Sequence, residues 1–102
     1  MARFDVHPLK GSGVALVVDI QAHLLSELPS RIVVPLLATA DLKRPPISRL
    51  EPILDIDGEA YLFATAGLGV QSANQLGTAI ANVEARHRDD IVNALDFLFQ
   101  GY

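Results

Sequence analysis

Ile53-Leu54-Asp55-Ile56-Asp57-Gly58-Glu59-Ala60-Tyr61-Leu62-Phe63-Ala64-Thr65 is the stretch on which the fold of this chain turns. Two apolar runs flank Asp57-Gly58. An Asp-Gly pair in that setting favours a type I′ turn, whose two central residues both need positive φ. The stretch therefore predicts a β-hairpin. Asp55-x-Asp57-Gly58 also opens like a calcium loop, but Ala60 stands where such a loop needs glycine and Ala66 where it needs its closing glutamate. Turn formation accounts for these residues without a metal.

Upstream of the hairpin the pattern stays β. Arg3 to His7 alternates Phe4 and Val6 with polar neighbours, and predicts a first strand. Lys10-Gly11-Ser12-Gly13 reads as a turn. Val14 to Gln21 predicts a second strand, with Leu16, Val18 and Ile20 on one face and Val17 and Asp19 on the other. Leu28-Pro29-Ser30 breaks the chain before a β-branched run from Arg31 to Leu37, in which Pro35 points to an edge strand or a bulge. Asp41 to Arg49 holds Lys43, Arg44 and Pro45-Pro46, is polar and aperiodic, and reads as an exposed loop.

Downstream, Ala66 to Asn82 is rich in glycine and alanine, and Val70 is the place for one more short strand. Gly67-Leu68-Gly69 lacks both the third glycine of a dinucleotide loop and the lysine of a phosphate loop. From Glu84 the period becomes helical. Asp89 and Asp90 lie early, near the positive end of the helix dipole. Ile91, Ala94, Leu95 and Leu98 recur at helical spacing, and Gly101 closes the helix. The chain is thus mainly β with a C-terminal α-helix. Phe97 and Phe99 fall off that stripe, and Tyr102 follows at once. A last turn apolar on two faces is expected to bury one face in its own core and the other in a partner.

The chain has 102 residues, half of them apolar, a formal net charge of −4 and no cysteine. That length fits one domain, 1–102. The missing cysteine excludes a disulfide framework, a thiolate metal site and a cysteine nucleophile. The acidic balance argues against a constitutive nucleic-acid or anionic-membrane binder, and leaves another protein as the expected partner. Asp5 interrupts what would be a signal peptide's apolar region, and the longest apolar run, Ile32 to Ala38, has seven residues including Pro35. No membrane association and a cytoplasmic location are therefore expected.

Catalytic signals are weak. His7, His23 and His87 show no metal-ligand spacing, and no serine sits in a nucleophile-elbow context. Arg86-His87-Arg88-Asp89 collects side chains suited to acid–base attack on RNA, but the same residues suit a solvated helix start. No cofactor, metal or catalytic residue is expected.

With the hairpin and the closing helix placed, the whole chain resembles the CcdB family of bacterial toxins. The segments that carry the resemblance are Val18-Asp19-Ile20-Gln21, Arg31-Ile32-Val33-Val34-Pro35-Leu36, Leu50-Glu51-Pro52-Ile53 with Asp57-Gly58-Glu59, Leu76-Gly77, Arg88, Asp90 to Leu95, and Phe99-x-Gly101. The resemblance implies an SH3-like barrel of the CcdB/MazF/Kid type, a homodimer and no enzymatic activity. It implies a toxin that binds the A subunit of DNA gyrase, traps it on cleaved DNA, and is neutralised by a CcdA-like antitoxin. The corresponding gyrase-binding positions are Leu24, Leu25, Asp96, Phe99, Gln100, Gly101 and Tyr102. Gln100 replaces a tryptophan of the better-known members, Asp96 an asparagine and Tyr102 an isoleucine. The basic loop at Lys43 and Arg44 and the Gly11–Gly13 loop are candidate edges for an acidic antitoxin tail. Two alternatives stand beside this reading. One is a toxin of the same fold and antitoxin with a different target or none at gyrase. The other is a MazF-like endoribonuclease using Arg86, His87 or Arg88.

Overall fold

Asp57 (φ 52°) and Gly58 (φ 88°) both occupy the left-handed region, and Ile56 pairs with Glu59 across them, so the hairpin closes through the expected two-residue type I′ turn. The computed structural model describes residues 1–11 and 16–101. Its strands are β1 (Asp5–Pro8), β2 (Leu16–Asp19), β3 (Ser30–Ala38), β4 (Ile53–Ile56), β5 (Glu59–Phe63), β6 (Gly69–Ser72) and β7 (Ala81–Asn82), followed by helix α1 (Glu84–Gln100). All pairings are antiparallel, in the order β4-β5-β3-β2-β1-β7 with β6 on β3, and the sheet curls into a nearly closed barrel. The mainly β fold with a C-terminal helix is as expected.

The inner face carries Phe4, Val6, Val18, Val34, Leu54 and Phe63, onto which α1 packs through Ile91 and Ala94. Leu16, Val18 and Ile20 share that core as the alternation predicts. The opposite face of β2 is buried as well: Val17 joins Val33 and Leu76 in a second, smaller cluster. Both faces of β2 are therefore covered, which an alternating half-buried strand would not require.

Three local expectations need correction or refinement. The first strand begins at Asp5, two residues late, because Phe4 turns into the core at φ 72°. Its N–H still reaches the Asp19 carbonyl and its carbonyl takes the Val83 N–H, so the bend leaves no backbone group orphaned. Pro35 lies on neither an edge strand nor the margin of the sheet. It sits in β3, between Ile32–Val33, which face β6, and Leu36–Ala38, which face β5. Its carbonyl accepts the Ala64 N–H at 3.0 Å, so its missing donor points to the same side, into the interval between two neighbours. In the second strand, Val14 and Ala15 lie outside the described residues, as do Ser12 and Gly13 of the glycine loop.

Helix α1 starts where Asn82 Oδ1 accepts the Glu84 N–H at 3.0 Å, and ends on Gly101, whose φ of 80° is the left-handed C-cap. No described helix is long and apolar enough to cross a membrane.

Candidate functional site

Helix α1 divides the two phenylalanines of its last turns between different fates. Phe97 is half-buried, with the Arg49 guanidinium 4.6 Å from its ring centroid. Phe99 is 71% exposed. Phe97 and Phe99, both read as lying off the core stripe, thus differ in exposure, and Arg49 covers the ring of Phe97. Asp96, Phe99 and Gln100 follow one another at i, i+3 and i+4, so they share a helix face, and all three are exposed. Asp96 also lines a crevice with Arg49, Pro52, Asp90 and Asn93. Gly101 is exposed beside them. Tyr102 lies outside the described residues.

Leu24 and Leu25 fall in a short 3-10 turn, His23–Leu25, between β2 and β3. Leu24 is 93% exposed and Leu25 about half as much, so both present apolar surface to solvent. Ala22 and His23 share a crevice with Glu84 and Arg88 near the start of α1. Phe99 lies about 17 Å further along the helix axis than Arg88. The structure therefore places the two groups of expected site residues at different points along α1.

Below the 3-10 turn lies a buried polar network. Asp19 and Arg31 are 0% and 1% exposed. Arg31 Nε donates to Asp19 Oδ2 at 2.8 Å, and its Nη2 lies 2.7 Å from the same oxygen. The other oxygen, Oδ1, accepts the Gln21 N–H at 3.0 Å. These three residues escaped functional notice in the sequence, although each sits in a segment that carries the resemblance. The signal was there: an aspartate and an arginine inside apolar β runs must pair if both are to be buried.

The Lys43–Arg44 loop is exposed as expected, but the two cations differ in use. Arg44 donates from Nη1 and Nη2 to the two carboxylate oxygens of Glu51, at 2.7 and 2.8 Å. Glu51, only 6% exposed, also accepts the Ile47 N–H at 2.8 Å, which pins the loop to the barrel. The Arg44 hydrogen bonds hold the Glu51 carboxyl below the usual glutamate range. Burial works against that shift and the Ile47 bond supports it. A carboxyl depressed in the folded state contributes stability that is complete above its unfolded value of about 4.3 and lost as pH falls through the lower folded value. Glu51→Gln is therefore expected to be less stable than the parent at neutral pH, with the gap closing in acid. Urea denaturation of both proteins across that range checks this, and a gap independent of pH would contradict it.

Two of the three residues offered for RNA cleavage, Arg86 and His87, are engaged in the fold, while Arg88 is exposed and, among the described residues, reaches only its neighbour Asp89 at 3.7 Å. His87 Nε2 accepts the Asp55 backbone N–H at 3.1 Å, and Arg86 Nη1 donates to Asp55 Oδ2 at 2.6 Å, so both fasten α1 to β4. The lone pair a general base needs at Nε2 is already occupied. Among the described residues no three potential metal ligands come together. The sequence model described as CcdB protein matches residues 3–101.

Proposed function

The chain belongs to the CcdB family of toxins, and on that premise we propose that it acts by binding rather than catalysis, on the A subunit of DNA gyrase. The observation that carries this reading is Phe99, a large aromatic left in solvent on the last turn of α1, flanked by Asp96, Gln100 and Gly101. Buried aromatic anchors supply most of the energy of protein interfaces, and an exposed one at a helix end is a ready anchor. Leu24 and Leu25 supply the second apolar element. Because the two groups lie apart along α1, a homodimer is the arrangement that joins patches from two copies into one surface. Tyr102 belongs to the same proposed surface by its position next to Gly101.

Neutralisation would come from a CcdA-like antitoxin whose acidic tail meets Lys43 on the exposed loop. Arg44 contributes there by keeping the loop in place through Glu51. The whole of 1–102 acts as one domain in this reading.

Gln100 favours a second reading within the same family. It offers no ring for stacking where related chains carry tryptophan, so a toxin of this fold could have moved to another target. One assay separates the two. Purified protein, host gyrase and supercoiled plasmid are expected to yield linear DNA, and truncation after Leu98 is expected to abolish it. Growth arrest on expression, with no linear DNA and no gyrase A binding at micromolar concentration, would overturn the gyrase assignment in favour of another target.

A further inference from the structure

Leu24 is nearly all in water, yet the backbone that carries it is tied to the core by a buried side chain. Gln21 is 4% exposed. Its Oε1 accepts the Ile32 N–H of β3 at 3.0 Å, and its Nε2 donates to the Leu25 carbonyl at 2.8 Å. One amide therefore bridges the central strand and the 3-10 turn. The Leu25 carbonyl also accepts the Leu28 N–H at 3.1 Å, so it is the point at which the turn is held from both sides. Behind Gln21, Asp19 fixes its backbone N–H, and Arg31 fixes Asp19.

An aliphatic residue would fill this site without the cost of burying an amide, provided the site only had to be filled. The amide does something an aliphatic residue cannot: it hydrogen-bonds an exposed turn to the central strand of the barrel. Ordering a loop on association costs free energy, and a loop held in its bound shape beforehand avoids that cost. We infer that Gln21 is a positioning residue, backed by Asp19 and Arg31, which presets the Leu24–Leu25 turn for its protein partner. This rests on the assignment of Leu24 and Leu25 to the partner-binding surface.

Gln21→Glu isolates the contact. The carboxylate keeps the acceptor for Ile32 but has no donor for Leu25, and sets a negative charge against a carbonyl oxygen. In the full chain, hydrogen-exchange protection of the amides of 24–28 is expected to drop about tenfold at neutral pH, the worth of one lost hydrogen bond. Protection in β3 and β5 should hold. Acidification that protonates the new carboxyl restores an O–H donor, and should return the protection of 24–28 towards that of the parent at the same pH. A merely structural defect would not recover in this way. Should Gln21→Glu fail to fold, Gln21→Met, which keeps the volume and removes both bonds, takes its place in the neutral-pH comparison.

Affinity for gyrase A should fall about tenfold with Gln21→Glu, and by much less when Leu24→Ala and Leu25→Ala are already present. Unchanged protection at 24–28, a uniform loss across the chain, or an equal affinity loss in both backgrounds would overturn the positioning role. Local loss of protection, together with full gyrase binding by the Leu24→Ala, Leu25→Ala variant, would support the positioning role and overturn the docking assignment instead.

Discussion

Arg31→Met is expected to lower the unfolding free energy by about 3–5 kcal/mol. The reason is the partner left behind. Asp19 is fully buried, and among the described residues Arg31 is the cation paired with it. A domain of this size holds only about 5–15 kcal/mol in total, and loses about 4–8 °C of melting temperature per kcal/mol. Adding Asp19→Asn to Arg31→Met should recover much of the loss. The amide is neutral, and its oxygen can still accept the Gln21 N–H now held by Asp19. Denaturant midpoints of parent, single and double variants at one fixed protein concentration decide the matter. A double variant no more stable than Arg31→Met alone would mean that the buried charge is not the source of the cost.

Phe99→Ala should behave in the opposite way, with little effect on folding and a large one on the partner. Its ring is mostly in solvent, so removing it is expected to change stability by no more than about 0.5 kcal/mol. If it is the anchor of the gyrase-binding surface, its truncation costs about 2 kcal/mol or more of binding, roughly thirtyfold in affinity. Phe97→Ala is the internal contrast. That ring is half-buried under Arg49, so its loss should be felt in the unfolding transition. Titration calorimetry against gyrase A, paired with thermal unfolding of each variant, reads both quantities. Equal affinity of Phe99→Ala and parent would remove the anchor from the surface.

How far the chain could be read in advance depended on whether each feature was local. Asp57-Gly58 declares its turn in two residues, since few other pairs tolerate positive φ twice in succession. Helix α1 was legible from Ile91, Ala94 and Leu98 at helical spacing, with Gly101 as its stop, and Val70 did mark a short strand. The failures were non-local. Nothing near Phe4 announces that it will adopt φ 72°, because the reason is its placement between Asp19 and Val83, both distant in the chain. The second buried face of β2 depends on Leu76, almost sixty residues further on. Likewise Asp19 showed its face but not its partner, and Arg44 looked like a free basic residue until Glu51 appeared beside it. The candidate site divided along the same line. The exposed end of α1 could be expected from helical periodicity, whereas the support beneath Leu24 and Leu25 runs through Gln21 to Ile32, across two strands.

Pro35 carries a consequence for how the barrel avoids misassembly. Strand β3 serves two short neighbours in series, and a one-residue slip of either would turn its buried side chains to the wrong face. A slip of β5 or β6 along β3 would bring a ladder carbonyl opposite Pro35, where no N–H exists to meet it. The ring that breaks the ladder in the one correct alignment does so where no bond is required, and in the shifted ones where a bond is. The proline thus acts as a stop on the strand, allowing each neighbour to slide no further than its own half.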